Sequence, residues 1–228
     1  MRKNKKQKQK IKREKIRNRK LIKKYPWLKP RNVWTGKLIE DYDYSWIEWY
    51  GWPQGWNIAF GTMYLKEFGE AVKKAGLEHK MIIEQQKEKY GQCRNYVYPT
   101  TEEIEEIINK YEKISENVCC ICGQPDVPMI NDGWFSPYCF SCFKKNWRQR
   151  EEYISKRDEN HGASTDEEIF ASYNKCVCDS DPKIDNSYSV TRFSKNGNKT
   201  TTYDISETAE KIRKRWYKKH KMIHDERK

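Results

Sequence analysis

The 228-residue sequence contains no long apolar segment. Crossing a bilayer takes about 18 to 20 consecutive apolar residues, and no run in this chain approaches that length. The basic N-terminus is not followed by the apolar stretch of a secretory signal either. We therefore expect a cytoplasmic protein with no membrane partner.

Catalytic motifs are missing as well. The sequence has no Gly-rich phosphate loop ending in Lys-Ser/Thr, no Gly-x-Ser-x-Gly elbow and no His-Glu-x-x-His. Of its four histidines, only His79 and His161 precede residue 220, so few positions supply a general base. These absences favour a protein that is not an enzyme and that has no small-molecule substrate.

Hydrophobic residues are scarce, at 36% of the chain. Globular domains average roughly 45 to 50%, counting glycine, so we expect a modest core. Aromatic residues make up 14% of the chain, with nine tryptophans and fifteen tyrosines. Their large side chains argue against a wholly disordered protein.

The net charge of +13 is concentrated at the chain ends. Residues 1–24 hold 14 of the 46 Lys and Arg residues and a single acid, whereas residues 25–228 hold 32 side chains of each sign. Such a segment neutralises phosphates and releases counterions, so we expect a basic arm, disordered or helical, that contacts nucleic acid. A solubilising tail is the alternative. The candidate nucleic-acid-binding residues are Lys5, Lys6, Lys8, Lys10, Lys12, Arg13, Lys15, Arg17, Arg19 and Lys20 in the arm, and Arg213, Lys214, Arg215 and Lys218 near the C-terminus.

Four of the eight cysteines form two Cys-x2-Cys pairs, Cys119 with Cys122 and Cys139 with Cys142. Each pair can place two thiolates at about 2.3 Å from one Zn²⁺ ion, and two pairs complete a tetrahedron. The sequence therefore predicts a zinc ribbon with one structural ion, since four thiolates leave no open position for a substrate. Cys120 is the alternative to Cys119 as a ligand, although Cys119 has the better spacing.

A second metal site is conceivable near the C-terminus. His220 and His224 have the i, i+4 spacing of one helix face, and the Cys-x-Cys pair lies upstream. That site needs an atypical cysteine pair and a long loop closure, so free thiols and solvent-facing histidines are favoured over it. Its ligands would be Cys176, Cys178, His220 and His224.

Residues 31–56 hold five of the nine tryptophans. Exposed rings could stack on nucleic-acid bases, but acids lie between them and would repel phosphates. We therefore favour a small aromatic core or a protein contact over a base platform, and a solvated acidic face over a Mg²⁺ site. The acids are Glu40, Asp41, Asp43 and Glu48. The protein-contact candidates are Trp34, Trp46, Trp49 and Trp52.

Periodicity and turn residues predict an α+β fold: a small mixed domain with short β-hairpins, amphipathic helices and the four-cysteine ribbon. The predicted elements are a helix over 56–76, a hairpin from 80–86 and 94–98, a helix following a Thr100-x-x-Glu103 capping box, a helix over about 142–156, and a closing hairpin around Asn196-Gly197 with a basic helix. The predicted domains are a basic arm (1–24), an aromatic-rich α+β domain (25–118), the zinc ribbon with its following helix (119–157), a polar loop (158–186), and a β-hairpin plus basic helix (187–228).

The block Ile83-Glu84-Gln85-Gln86-Lys87-Glu88-Lys89-Tyr90-Gly91 is followed by Arg94-x-Tyr96 and the two cysteine pairs. This arrangement resembles a family of uncharacterised phage and prophage proteins. The resemblance covers roughly residues 46–147, and Gln92-Cys93 departs from it where an apolar residue is usual. It implies a prokaryotic or viral cytoplasmic setting and a zinc-stabilised α+β domain, and it supplies no catalytic residues.

Together these features predict a non-enzymatic zinc-ribbon protein that contacts nucleic acid or a nucleoprotein through its basic arm and C-terminal helix. The alternative is a phage-encoded inhibitor or adaptor that binds a host protein, such as a defence nuclease, through the aromatic-acidic segment 34–56.

Overall fold

The structure is a computed structural model that describes residues 2–158, 161–178, 182–194 and 197–225. It has the predicted α+β class, with helices and three two-stranded sheets. The helices are α1 (Arg2–Lys24), α2 (Gln54–Trp56), α3 (Thr62–Lys74), α4 (Glu102–Ser115), α5 (Phe140–Ser155), α6 (Asp166–Cys176) and α7 (Ser206–Asp225). The strands are β1 (Ile82–Lys89), β2 (Gln92–Tyr98), β3 (Met129–Asn131), β4 (Phe135–Pro137), β5 (Ser187–Ser194) and β6 (Gly197–Asp204).

The chain divides into two compact units. The first comprises residues 1–52, 62–88 and 93–109, and the second comprises residues 53–61, 89–92 and 110–228. The first unit is organised around aromatic rings, and the second contains all four cysteines of the two Cys-x2-Cys pairs.

An aromatic cluster forms the core of the first unit. The rings of Trp49 and Tyr64 are stacked, with centroids 5.0 Å apart and planes 13° apart, and Trp27 meets Trp49 edge-on at 5.0 Å. Trp49 and Trp27 are each 2% exposed. Gly69 permits this packing, because a Cβ there would lie 3.0 Å from the Tyr25 ring. Large rings thus supply the buried area that the scarce aliphatic residues do not.

The predicted helix over 56–76 is present with an interruption. A π-helical stretch, Asn57–Gly61, follows α2 and precedes α3, and Gly76 ends the region with a φ of +66°. A glycine with positive φ is the usual residue just past a helix end. The interruption is a π-bulge, which widens one turn of an otherwise continuous helix.

The predicted hairpin over 80–98 is also present, with longer strands and a tighter turn than expected. Tyr90 and Gly91 connect β1 to β2 with φ values of 53° and 77°. Two consecutive positive φ values identify a type I′ turn, whose twist matches that of the flanking strands.

The predicted capping box at Thr100 is wrong by one residue. The hydroxyl of Thr101 accepts a hydrogen bond from Ile104 N at 3.3 Å, and the carbonyl of Thr101 accepts one from Glu105 N at 2.9 Å. Thr101 is therefore the N-cap of α4, and the third residue after it is isoleucine, so no glutamate closes a box.

The segment 158–186 is not only a loop, because it contains α6. Thr165 caps this helix: its hydroxyl accepts from Glu168 N at 3.2 Å, and the Glu168 carboxylate accepts from Thr165 N at 2.6 Å. Ile169 and Tyr173 on α6 pack with Ile130 and Phe143 in the core of the second unit. The Thr-x-x-Glu spacing was the sequence signal for this helix.

Two further predicted elements are present. Helix α5 begins at Phe140, two residues before the expected start. Strands β5 and β6 pair antiparallel with Tyr188 opposite Tyr203, and α7 follows. The predicted turn at Asn196 lies outside the described residues.

Candidate metal centre and cationic helices

Two chain turns bring the four predicted zinc ligands together. Cys119 and Cys122 lie on a turn after α4, where Gly123 N donates to the Cys119 carbonyl at 2.9 Å. Cys139 is the N-cap of α5, and Cys142 lies in the first turn of that helix. All four Sγ atoms lie within 4.8 Å of one another.

The spacing of the sulfurs fits tetrahedral coordination. Metal–sulfur bonds of roughly 2.3 Å place the corners of a tetrahedron about 3.8 Å apart. The Sγ atoms of Cys122 and Cys139 are 3.7 Å apart. The arrangement is therefore a candidate metal centre with four thiolate ligands.

The four thiols perturb one another's pKa values. Hydrogen bonds from the thiols of Cys122, Cys139 and Cys142 lower the pKa of Cys119 far below its ordinary value. Contacts with the sulfurs of Cys119, Cys122 and Cys139 raise the pKa of Cys142, because they favour its protonated form. Adjacent thiolates repel one another, so a divalent cation is what allows all four to be deprotonated together.

The centre is half-enclosed by the second unit, because Cys122 and Cys142 are only half-buried. Cys119 is fully buried and Cys139 is 4% exposed, and both pack with Val127. On the other side of the turn, Gly55 N donates to the Cys120 carbonyl at 2.8 Å. A Cβ on Gly55 would overlap the Cys119 carbonyl oxygen, so only glycine permits this approach.

Cys120, the alternative ligand, is not part of the cluster. No aspartate, glutamate or histidine of the described residues joins the four cysteines. Four thiolates complete a tetrahedral shell of the kind found in structural zinc sites.

The alternative second site does not form in the described part of the chain. Cys176 packs against the Ile130 cluster, and Cys178 N donates to Met129 O at 2.9 Å. His220 lies on α7 with its Nδ1 2.9 Å from the Trp216 carbonyl oxygen. These residues are not gathered into a metal-binding group, and the side chain of His224 lies outside the described residues.

The basic arm is the helix α1, and its C-terminal half packs on the first unit. Asn18 is fully buried and donates through Nδ2 to Tyr44 O at 2.9 Å. Lys15 forms an ion pair with Asp43 at 2.6 Å, and the Arg19 guanidinium lies 5.1 Å from the centre of the Tyr44 ring. The helix is thus held at one face and presents the rest to solvent.

Most candidate phosphate contacts on α1 are exposed. Lys15 is half-buried and paired, and the side chains of Lys5 and Lys6 lie outside the described residues. The exposed residues are Lys8, Lys10, Lys12, Arg13, Arg17, Arg19 and Lys20.

Arg213 is not an available cation, contrary to expectation. Its guanidinium donates to both carboxylate oxygens of Asp126 at 2.8 and 2.9 Å and to Ile184 O at 3.1 Å. Burial would raise the pKa of Asp126, but hydrogen bonds from Arg213 and Ile184 N outweigh it and lower the pKa. Arg213 therefore stabilises the second unit, whereas Lys214, Arg215 and Lys218 are exposed.

The four protein-contact candidates divide into two pairs. Trp49 and Trp52 are 2% and 4% exposed and belong to the aromatic core, so the prediction was wrong for these two. Trp34 is 91% exposed and Trp46 is 44% exposed. Tryptophan density along the sequence does not separate core rings from surface rings, because burial is decided by the surrounding fold.

Three residues of functional interest were not among the predicted site residues. Gly55 supports the cysteine turn, and Trp216 and Lys219 line a cleft beside Gly123. A lone glycine or tryptophan has no local signature, so only the fold identifies them.

Comparisons with protein-family models, curated proteins and solved structures gave no significant match. The resemblance to phage and prophage proteins therefore stays a prediction. Among the described helices, none has both the length and the apolar character needed to span a bilayer.

Proposed function

We propose that this chain is a zinc-stabilised, non-enzymatic protein that binds nucleic acid through helix α1. The observation that carries this proposal is a row of exposed cations on a helix whose opposite face is held by Asn18. A fixed helix loses less conformational entropy on binding than a disordered arm does.

The dimensions of α1 suit a phosphate backbone. Its 23 residues extend about 34 Å at roughly 1.5 Å per residue. Duplex DNA carries one charge per roughly 1.7 Å of axis, so several phosphates lie within reach. Lysine-rich contacts of this kind position a protein on nucleic acid without reading its sequence.

Zinc is the metal proposed for the cysteine cluster. Thiolate ligands select soft or borderline ions, and a closed tetrahedral four-sulfur shell is typical of structural zinc. The ion would be held by Cys119, Cys122, Cys139 and Cys142. A prokaryotic cytoplasmic setting and a phage origin belong to this proposal and derive from the sequence resemblance.

A protein partner is the second candidate, and exposed Trp34 favours it. The turn that carries Trp34 is ordered, because Asn32 Oδ1 accepts from Trp34 N and Thr35 N, both at 2.9 Å. The indole borders a groove of about 590 Å³ that also contains Tyr96 and Glu84. Exposed tryptophan and tyrosine are frequent anchors of protein interfaces, so a host nuclease or nucleoprotein could dock here.

Salt-dependent binding to a 20-base-pair duplex tests the α1 proposal. Replacing Lys8, Lys12, Arg13 and Lys20 with glutamine should flatten the logarithmic salt slope by about 3 to 4, at roughly 0.9 per lost phosphate contact. Fluorescence anisotropy with a labelled duplex measures it. The matched control replaces four exposed lysines elsewhere: Lys37, Lys73, Lys145 and Lys175.

Equal loss in the two quadruple variants would mean that overall charge, not α1, drives binding. No binding by the unmodified chain would contradict the nucleic-acid proposal and favour the Trp34 surface. In that case a copurifying protein should be lost on Trp34→Ala.

A further inference from the structure

A cleft of about 240 Å³ lies beside the cysteine turn, entirely within the second unit. Its apolar lining comes from Ile58, Ala59 and Ile212. Gly123 of the cysteine turn contributes bare backbone, and a Cβ there would lie 2.6 Å from Gly55 O. The cleft therefore depends on the fold of the metal centre for one of its walls.

Helix α7 supplies an aromatic ring and two cations to the same cleft. Trp216 lines it, with Arg215 and Lys219 on either side in sequence. No aspartate or glutamate of the described chain is among its lining residues. An apolar floor, an indole and two cations together suit a ligand that is planar, aromatic and anionic.

The indole of Trp216 is held in place before any ligand arrives. The His220 ring packs on it with centroids 3.6 Å apart. His220 is not among the residues that line the cleft, so it covers a different part of the indole from the part that faces the cleft. A planar group entering the cleft would contact the part of the indole that His220 leaves uncovered.

The two acids of α7 whose side chains the structure describes pair with other cations. Glu207 pairs with Lys211 at 2.5 Å, and Glu210 pairs with Lys214 at 3.5 Å. Lys219 makes no ion pair among the described side chains. Lys219 therefore supplies a positive charge that would attract an anion to the cleft.

We propose that this cleft binds one unpaired base of a single-stranded nucleic acid, with the base on Trp216 and an adjacent phosphate at Arg215 and Lys219. This inference rests on the proposed nucleic-acid-binding function and adds a strand preference to it. The volume is below the roughly 300 to 1,000 Å³ of pockets for drug-sized ligands, which suits a single base. A base stacked within a duplex cannot enter it, whereas an unpaired base can.

The groove at Trp34 does not suit a nucleotide in the same way. Glu84 lines that groove together with Trp34 and Lys87, and its carboxylate would repel a phosphate. The Trp34 groove and the Trp216 cleft therefore have different chemistry, and Trp34 is a suitable control position.

Binding of a labelled twelve-nucleotide oligo-dT, compared with a 20-base-pair duplex, tests the inference. Trp216→Ala should weaken oligo-dT binding about tenfold, since stacking on one aromatic ring contributes on this scale. Duplex binding should change by less than about twofold, because the duplex contacts α1. Trp34→Ala should leave both affinities unchanged, and Trp216→Phe should retain most of the oligo-dT affinity.

The cations provide a second measurement that leaves the indole intact. The double variant Arg215→Gln with Lys219→Gln should reduce the salt slope for oligo-dT by about 1.4, at roughly 0.7 per contact on a single strand. If Trp216→Ala proves unfolded by circular dichroism, Trp216→Phe and this double variant decide the question.

The outcomes separate this inference from the proposed function. Oligo-dT binding that is unaffected by Trp216→Ala and by the double variant overturns the cleft proposal, even if duplex binding through α1 persists. Equal weakening of duplex and oligo-dT overturns it too. If the protein binds oligo-dT in a Trp216-dependent way but does not bind the duplex, the cleft proposal is supported. The proposed role of α1 in binding nucleic acid is then contradicted.

Discussion

Helices α1 and α7 are both basic and have different electrostatic surroundings. Helix α1 contains 14 Lys and Arg residues and one acid, and α7 contains seven and three. The described cations of α7 that pair with carboxylates include Lys211 with Glu207, Arg213 with Asp126, and Lys214 with Glu210.

The anchoring of the two helices differs in the same way. A buried hydrogen bond from the neutral amide of Asn18 and one ion pair, Lys15 with Asp43, hold α1, and most of its described cations are exposed. A charged group, Arg213, holds α7 through an ion pair, so one of its predicted phosphate contacts is consumed by the fold. Counting charges along a sequence therefore overestimates the cationic surface of α7 more than that of α1.

Removing the metal should have the largest effect on stability, because the cysteine turn supports the unit that contains α7. We expect chelation, or Cys139→Ser, to unfold the second unit, since structural zinc contributes about 10 to 16 kcal/mol of apparent binding energy. Loss of amide protection in α5 and α6 by hydrogen exchange measures this. The unmodified chain should carry one zinc per molecule by elemental analysis.

Cys178→Ser is the control for that experiment, because Cys178 lies outside the cluster. A metal-free chain with full protection in α5 would contradict the zinc ribbon. Iron in place of zinc would keep the site and change the identity of the ion.

Breaking the Asp126–Arg213 ion pair should destabilise the protein less than metal removal does, because this pair anchors only α7. Arg213→Gln leaves a carboxylate at a site where the two side chains are 23% and 22% exposed. We expect the free energy of unfolding to fall by about 1 to 2 kcal/mol, less than the ~3 to 5 kcal/mol for fully buried pairs. Urea denaturation at constant zinc measures it.

Lys214→Gln is the matched control, since its pair with Glu210 is exposed and should contribute less than about 0.5 kcal/mol. Equal destabilisation by the two variants would show that Arg213 does not anchor α7.

Acidification should have the smallest effect on stability. The group concerned is Asp43, whose ion pair with Lys15 helps to anchor α1. Hydrogen bonds from Lys15 and Ser45 hold the pKa of the Asp43 carboxyl well below its usual range. Because the folded pKa is depressed, the stabilisation is fully present above the unfolded value of about 3.9 and is lost as pH falls through the folded pKa. We therefore expect no release of the Lys15–Asp43 pair between pH 7 and pH 5.

An NMR titration of the Asp43 carboxyl carbon measures this, with Asp43→Asn to confirm the assignment. A midpoint at or above about 4 would show that the pair does not persist in solution.

The clearest sequence patterns predicted their structures well. Two Cys-x2-Cys pairs predicted a four-sulfur cluster, because each spacing fixes a local turn regardless of what surrounds it. The helix after Pro99 and the two hairpins followed from periodicity and turn residues in the same local way. Errors of one or two residues remained at element ends, as at Thr101.

Helix α6 was missed for an energetic reason. Its sequence is polar, and only a few of its side chains, such as Ile169 and Tyr173, are buried. Most of the stability of a short helix comes from packing of one face, and Phe143 and Ile130, from distant positions in the sequence, provide that packing. The capping residues Thr165 and Glu168 were the available signal.

By itself, the sequence determined the clustering of four cysteines, the α+β class and the concentration of positive charge at the chain ends, because these depend on short spacings and on composition. The tertiary structure decided which tryptophans are buried, which arginine is paired, and that Trp216, Arg215 and Lys219 share a cleft with Gly123. Burial and pairing join residues that are far apart in sequence, as Arg213 and Asp126 are, so no local pattern contains them.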